Sequence, residues 1–472
     1  MKSYDAVVIG AGPGGYVCAI RLAQLGKKTA IIEKEKIGGV CLNVGCIPSK
    51  ALIFGATQFH RAQHDFEEIG IGFKSLDCDL SKLQNWKDGV VKKLTGGVTQ
   101  LLKMNQVDVL TGTASFKDGR TIEVKGKSNE TVTAASFVIA TGSRVVEIPT
   151  LPFNHKNILD STETLELKTL PKKLIVVGGG FIGVEIGMAY AKLGSEVTIV
   201  EAMAEILPGT DRELVSVVEK KMRKMGITVL TQAKAMGSRQ LNQGSEVELE
   251  IEMGGKKEMK TANRILVSVG RRPNSDQIGL EKLGMKLDPK GNVIVDSQGK
   301  TSVSGIFAIG DITGPPQLAH RASMDGLIVA AVIGGENAHK DYKVVPWAIF
   351  SDPEIATVGL TEKEAQAKGI KFKIGKFPFA ASGRALSTNE TEGMVKVLID
   401  ESNESILGVH MVGPEVSNLI AEAALAIEMG ACVEDIIRTI HTHPTLPEAF
   451  PEAIESAFGK SIHIFKPPAK PK

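Results

Sequence analysis

Ala6-Val7-Val8-Ile9-Gly10-Ala11-Gly12-Pro13-Gly14-Gly15 is the stretch on which the fold turns, because the chain contains it twice in altered form. Four apolar residues read as a buried strand, the glycines as a tight turn, and a helical pattern follows. Thr29-Ala30-Ile31-Ile32-Glu33 then closes the unit with a second strand that ends on an acid. The second copy runs Leu174-Ile175-Val176-Val177, Gly178-Gly179-Gly180-Phe181-Ile182-Gly183, another helical pattern, and Val197-Thr198-Ile199-Val200-Glu201. From first glycine to closing glutamate the step is 23 residues in both copies. One such glycine pattern is a weak signal, since many ordinary helices follow a glycine turn. A preceding strand, a following helix and a closing acid strengthen it, and two copies at one spacing strengthen it further. The glycines let a pyrophosphate approach the free N–H groups at a helix N-terminus. Glu33 and Glu201 are the expected acceptors for ribose hydroxyls.

The duplication extends outward. Residues 122–132 read as a polar hairpin around Lys125-Gly126-Lys127, followed by the apolar strand Phe137-Val138-Ile139-Ala140 and Thr141-Gly142. Residues 247–259 read as a hairpin around Gly254-Gly255, followed by Ile265-Leu266-Val267-Ser268-Val269-Gly270. A third region begins near Arg272-Pro273-Asn274 and holds Ile306-Phe307-Ala308-Ile309-Gly310-Asp311 and a helix over 322–333. From about Pro346, strands such as Met394-Val395-Lys396-Val397-Leu398-Ile399 alternate with helices such as 416–428. The expected fold class is α/β: two Rossmann-like three-layer nucleotide-binding domains plus an α+β C-terminal domain. The boundaries drawn are 1–148 and 149–271 for the two nucleotide domains, 272–345 for a central domain, and 346–472 for the last. Its tail, Lys466-Pro467-Pro468-Ala469-Lys470-Pro471-Lys472, lacks apolar residues to pack and is expected to be disordered.

Bulk properties exclude some classes. Over 472 residues the net charge is +2, too balanced for nucleic acid or an acidic membrane surface. No run approaches the ~20 apolar residues of a membrane span, and Met1-Lys2-Ser3-Tyr4-Asp5 leads straight into a strand, leaving no room for a signal peptide. A cytoplasmic location is expected. In a reducing compartment, paired cysteines among Cys18, Cys41, Cys46, Cys78 and Cys432 should serve redox chemistry and not a structural framework. No metal site is expected.

Cys41 and Cys46 stand in Gly38-Gly39-Val40-Cys41-Leu42-Asn43-Val44-Gly45-Cys46-Ile47-Pro48-Ser49-Lys50, five residues after Glu33. Two cysteines five apart do not meet in a regular helix, so a bridge requires a distorted turn, for which Gly38, Gly39 and Gly45 supply freedom. A loop this short restricts the unfolded chain little, so exchange chemistry is the better purpose. Spacing alone leaves two unpaired structural cysteines as an equal alternative; the neighbouring dinucleotide unit argues against it.

The motif Gly-Gly-x-Cys-x-Asn-x-Gly-Cys-x-Pro-Ser-Lys resembles the active site of the class I pyridine nucleotide–disulfide oxidoreductases, and the likeness runs from Tyr4 to Ile464. It implies FAD in the first site, through Gly10, Gly12, Gly14, Gly15 and Glu33, and NAD or NADP in the second. By the same resemblance Ala114 approaches the adenine through its backbone, and Thr141, Gly142 and Ser143 pass the adenosine end. Gly310 and Asp311 meet the ribityl chain; Leu318, Ala319 and His320 lie near the pyrophosphate or the isoalloxazine. Lys50 is implied near flavin N5, paired with Glu185. Gly178, Gly180, Ile182, Gly183, Glu185, Glu201 and Gly270 form the nicotinamide nucleotide site. A 2′-phosphate would need Arg or Lys beside Glu201, where Ala202-Met203-Ala204 follow and Arg212 is the next basic residue, so NAD is expected.

His441-Thr442-His443-Pro444-Thr445-Leu446-Pro447-Glu448 resembles the family's HPTxxE signature. The resemblance makes His443 the general base and Glu448 its orienting carboxylate. His441 is the competitor but lacks the spacing to Glu448. In the family this histidine reaches the disulfide of the other subunit, which implies a homodimer. Pro447 stands where relatives often carry a small polar residue.

The chain has no N-terminal metal-binding extension and no C-terminal cysteine pair, which disfavours mercuric ion as substrate. The residues after Glu201 disfavour an NADPH-dependent glutathione reductase. Residues 445–448 and Gly459-Lys460-Ser461-Ile462-His463 resemble most the dihydrolipoamide-oxidising branch, whose partners are the lipoylated acyltransferases or lipoyl-carrier proteins of 2-oxo acid dehydrogenase complexes. The roles implied are Cys41 toward the dithiol and Cys46 toward the flavin. Two alternatives stand beside this: a reductase of another disulfide, and a mainly structural complex component. The second should have lost a cysteine, Lys50 or His443, and none is missing.

Overall fold

A computed structural model describes residues 2–126 and 129–465. The Lys127 end of the first expected hairpin and the Lys466–Lys472 tail lie outside the described residues. The chain divides into two compact units: 1–171 with 237–247 and 263–341, and 172–236 with 248–262 and 342–472.

In the first unit the opening motif folds as read. Strand β1 (Lys2–Ile9) leads through the glycine turn into helix α1 (Pro13–Gln24) and returns as strand β2 (Thr29–Glu33). The two strands are parallel, with Ala6 opposite Thr29 and Ile9 opposite Ile32. Two more helices, α2 (Gly39–Val44) and α3 (Cys46–His64), precede the long α4 (Leu80–Met104). Strand β3 (Asp108–Asp118) then joins β2 in parallel. Strands β4 (Thr121–Gly126) and β5 (Glu130–Ile139) turn back antiparallel, as the hairpin reading requires. From Val132 onward β5 runs parallel to β1, and the strand Ile306–Ala308 adds on its other side. Both faces of this sheet are apolar and covered, as a parallel sheet demands: Val7, Ile9 and Phe137 belong to one core, Ala6, Val8 and Val138 to the other.

The helix expected over 322–333 is longer and spans Ala319–Gly334. It lies directly against α1. A Cβ on Gly14 would sit 2.9 Å from the Ala322 carbonyl oxygen, and one on Gly326 2.6 Å from the Gly14 oxygen. Gly14 therefore admits a neighbouring helix, while the third glycine of the turn, Gly15, lets α1 close onto its own strand, since a Cβ there would sit 1.9 Å from the Gly10 carbonyl oxygen.

One sequence expectation needs correction. Among the described residues the helical run Gly39–His64 is long and apolar enough, by length and composition, to cross a membrane. The run is broken at Gly45 and carries both cysteines, and Asn43, Ser49, Lys50, Thr57 and Gln58 interrupt it as an apolar stretch.

The second unit repeats the motif. Strand β6 (Lys173–Val177), helix α5 (Phe181–Lys192) and strand β7 (Glu196–Val200) form a parallel unit, extended by β8 (Thr228–Leu230). Helix α6 (Arg212–Lys224) is capped by Asp211, which accepts the Glu213 N–H. The C-terminal part is an antiparallel sheet of β9 (Trp347–Ile349), β10 (Glu354–Gly359), β11 (Phe372–Pro378), β12 (Met394–Asp400) and β13 (Ile406–Gly413), ordered β9-β10-β13-β12-β11. Helices α7 (Val416–Met429) and α8 (Ala449–Ala457) bury Ile420, Ala423, Phe450 and Ile454 against it.

Lys396 is the one charged side chain among the buried residues of β12. Its side chain is 1% exposed, with Nζ 2.6 Å from Asp211 Oδ2 and 3.1 Å from Glu213 Oε2, and paired with Glu362 as well. Burial pushes the Asp211 and Glu213 carboxyls up. Hydrogen bonds from Lys396 to Asp211, and from Lys376 and Lys396 to Glu213, outweigh it and hold both below the usual carboxylate range.

Candidate active site

The two glycine turns coincide in detail. Gly10 and Gly178 have φ of +102° and +107°, the left-handed region that glycine enters at little cost. Gly12 and Gly180 cap their helices in extended conformation, φ −70° and −71°. A Cβ at Gly12 or Gly180 would meet nothing within 4 Å, so the space above each helix N-terminus is open.

The closing glutamates are held alike. Glu33 Oε2 accepts the Ala11 N–H at 2.8 Å and Oε1 the Glu35 N–H at 2.8 Å. Glu201 Oε2 accepts the Gly179 N–H at 2.6 Å and Oε1 the Met203 N–H at 2.7 Å. A carboxylate offers about four acceptor positions, so each retains capacity for a ribose hydroxyl.

Beside the first turn the helix breaks where the cysteine spacing requires it. Cys41 is in α2, Gly45 departs from helical geometry at φ −132° and ψ −108°, and Cys46 starts α3. The Asn43 amide donates to the Ile37 and Gly39 carbonyls at 2.9 Å each, pinning the loop that precedes Cys41. The Cys41 and Cys46 side chains meet. Their hydrogen bond pushes the Cys41 thiol far above the ordinary cysteine range; burial and the Cys46 charge add to this, and the Lys50 ammonium opposes it. Cys41 is half-buried and Cys46 exposed.

The remaining first-site residues fall on two sides. Ala114 is buried on β3, and Leu318, Ala319 and His320 form the start of the helix Ala319–Gly334. Gly310 and Asp311 begin a short 3-10 turn, and the Ser143 hydroxyl donates to Asp311 Oδ2 at 2.6 Å. Thr141 and Gly142 are clamped by Asn274, whose Nδ2 donates to Thr141 O at 2.8 Å and whose N–H donates to Gly142 O at 3.0 Å.

Arg271 was not singled out by the sequence reading. Its Nε donates to the Ser143 hydroxyl at 2.8 Å and its guanidinium to the Ser143 carbonyl at 2.7 Å. Burial lowers its affinity for the proton, while Asp311 and Cys46 act the other way. The only sequence cue was its place one residue after Gly270, beside the Arg272-Pro273-Asn274 segment.

In the second unit Ile182 and Gly183 lie in the first turn of α5, and Glu185 is buried, with Oε1 accepting the Phe350 N–H at 2.9 Å. Gly270 belongs to the first unit and has φ +126°. Lys50 and Glu185 belong to different units, as do the cysteines and His443.

His443 Nδ1 is 2.8 Å from Glu448 Oε1, and Glu448 Oε2 accepts the Thr445 N–H at 2.7 Å. Partial burial pushes the Glu448 carboxyl up. The Thr445 and His443 hydrogen bonds outweigh this and hold it below the usual range. His441 is committed elsewhere: Nδ1 to Thr439 O at 2.9 Å and Nε2 to Glu422 at 2.8 Å, with the side chain 10% exposed against 79% for His443. Pro447 leaves the His443–Glu448 pairing intact.

The first unit thus holds a thiol pair beside one dinucleotide cradle, and the second unit holds a cradle of the same design and a carboxylate-held histidine. Comparison with known proteins agrees. Residues 4–326 match the pyridine nucleotide-disulphide oxidoreductase family and residues 345–454 its dimerisation domain. The dihydrolipoyl dehydrogenase of Geobacillus stearothermophilus is 48% identical over 461 residues, covering 98% of this chain and 97% of the relative. That of Thermus scotoductus is 49% identical over 466 residues, covering 98% and 99%. Among solved structures, LpdA from Mycobacterium tuberculosis superposes with a TM-score of 0.88 at 26% identity, covering 96% of this chain and 99% of that one. The HOCl-induced flavoprotein disulfide reductase RclA from Escherichia coli superposes at 0.86 and 28%, with the same coverage. The chain belongs to the pyridine nucleotide-disulphide oxidoreductase family.

Proposed function

We propose that the chain is a dihydrolipoamide dehydrogenase, oxidising protein-bound dihydrolipoamide to lipoamide and reducing NAD+ to NADH. The observation that carries this reading is the meeting of the Cys41 and Cys46 side chains across the helix break at Gly45. The named relatives, alike over nearly the whole chain, supply the substrate.

FAD fits the first cradle: the open space over Gly12, the remaining acceptor capacity of Glu33 and the Arg271–Ser143–Asp311 network suit a pyrophosphate, a ribose and a polyol chain in turn. NAD fits the second through Gly178, Gly180 and Glu201. When bound, the flavin carries an electron pair from the cysteine thiols to NAD+. In the family arrangement Lys50 and Glu185 stand beside it as an ion pair.

The chain's own residues handle sulfur and protons. His443, oriented by Glu448, removes a proton from one thiol of dihydrolipoamide. That thiolate attacks Cys41 of the Cys41–Cys46 disulfide, and Cys46 leaves as a thiolate. His443 passes its proton to the departing Cys46 and takes the proton of the second substrate thiol. That thiolate attacks the substrate sulfur of the mixed disulfide, Cys41 leaves and recovers the proton, and lipoamide departs from a protein dithiol. Overall, dihydrolipoamide and NAD+ become lipoamide, NADH and a proton. Lys50, by opposing the rise of the Cys41 thiol, favours its charged form.

The match of residues 345–454 to a dimerisation domain supports a homodimer as the working form, and in our reading His443 serves the disulfide of the other subunit. The partners are lipoylated acyltransferases or lipoyl carriers of 2-oxo acid dehydrogenase complexes. The site is cytoplasmic, where an exchange-active thiol pair stays in use. The functional regions run 1–148 for FAD, 149–271 for NAD, 272–345 completing the flavin site and 346–472 for the subunit interface.

A panel of dihydrolipoamide, glutathione disulfide and mercuric ion, each assayed with NAD(H) and NADP(H), tests the assignment. Turnover should be confined to dihydrolipoamide with NAD+, and Cys41→Ser or Cys46→Ser should abolish it. Preference for another disulfide, or comparable efficiency with NADP+, would sink the reading.

A further inference from the structure

Phe181 is the first residue of α5, directly after Gly178-Gly179-Gly180. Its ring meets Trp347 on β9 edge to face, with centroids 5.6 Å apart and planes at 85°. Two further contacts join the same segments. Glu185 Oε1 accepts the Phe350 N–H at 2.9 Å, and Lys192 Nζ lies 2.8 Å from Asp352 Oδ2 with the lysine 4% exposed. Positions 181, 185 and 192 lie on one face of a helix with 3.6 residues per turn. A single segment, residues 347–352, thus grips α5 along that face from its first residue to its last.

The grip matters most at the first residue. The space over Gly180 is open, and an aromatic side chain at the next position can rotate about χ1 and sweep across it. Trp347 holds the Phe181 ring to one side. We infer that Trp347 is a positioning residue for the nicotinamide nucleotide, keeping Phe181 off the path by which the pyrophosphate reaches the N-terminus of α5. This rests on the reading of α5 as the helix of the NAD site. Trp347 lies in the C-terminal sheet, well outside the βαβ unit whose turn it guards.

The chain has two tryptophans, Trp86 and Trp347, so Trp86→Phe holoenzyme reports on Trp347 alone. Titration with NAD+ should change its emission, saturating at the dissociation constant found by calorimetry. Trp347→Leu should raise that constant about three- to tenfold, the scale of one aromatic pair, and leave the KM for dihydrolipoamide unchanged. In a Phe181→Leu background, where there is no ring to restrain, Trp347→Leu should have no further effect. Three results overturn the proposal while leaving the function in place: NAD+ binding without an emission change, a Trp347→Leu constant within twofold of wild type, or an undiminished loss in the Phe181→Leu background. Absence of NAD+ binding by calorimetry in the wild-type holoenzyme removes the NAD reading itself and this inference with it.

Discussion

His443 Nδ1 and Glu448 Oε1 lie 2.8 Å apart, and the second oxygen of Glu448 is fixed by the Thr445 N–H. The carboxylate therefore sets the direction of an imidazole that is otherwise largely exposed. Glu448→Gln should lower kcat/KM for dihydrolipoamide by about 10²-fold, at the low end of the 10²–10⁴ expected when the base itself is lost in His443→Gln. Because its carboxyl is held below the usual range, Glu448 stays charged through neutral and mildly acidic pH. A plot of kcat/KM against pH should show no separate fall that vanishes in Glu448→Gln.

Lys50 acts on Cys41 by charge, against the hydrogen bond and burial that push the thiol up. In Lys50→Met the reduced enzyme should need higher pH before iodoacetamide alkylates Cys41, and alkylation at pH 7.5 should slow. Mass spectrometry of the labelled peptide reads both. Equal labelling profiles would mean that the Lys50 charge is screened from the sulfur.

Glu201 is buried and takes two backbone N–H groups. Glu201→Ala leaves both donors short of a partner, at about 1–3 kcal/mol of stability, and removes the ribose acceptor. The KM for NAD+ should rise at least tenfold while flavin content is unchanged. Loss of flavin with intact NAD+ kinetics would reverse the assignment of the two cradles.

Lys396→Met would leave Asp211, Glu213 and Glu362 facing one another without their shared cation, at about 3–5 kcal/mol, the usual scale for breaking a buried ion pair. The sign with pH follows from the directions. Asp211 and Glu213 are depressed, so their contribution is complete above the unfolded carboxylate range near 4 and fades as pH falls through their folded values. Lys396 is raised, so its contribution is complete below the unfolded lysine range and fades only above it. Denaturant melts should therefore show the gap between wild type and variant widest near pH 7 and narrower at pH 4. A gap independent of pH would point to packing in place of charge.

What the sequence made legible was local. Gly10 to Glu33, Gly178 to Glu201 and the Gly45 break between the cysteines are each contained in about two dozen residues, and each folds as its pattern requires. What it hid was distant. Arg271 reaches Ser143 across 128 positions and Ser143 reaches Asp311 across 168, so no window contains the network. Lys396 is a lone charge in the apolar run 394–399, with nothing beside it in sequence to pair with. Its burial depends on Asp211, 185 positions earlier.

The paired N–H contacts to Glu33 and Glu201 have one more consequence. Each carboxylate already occupies its orientation through bonds to its own chain, so a ribose arrives at a preorganised acceptor and freezes little side-chain motion there. Any large difference in retention between the two dinucleotides, one held through many turnovers and one exchanged in each, must therefore originate elsewhere in the two cradles.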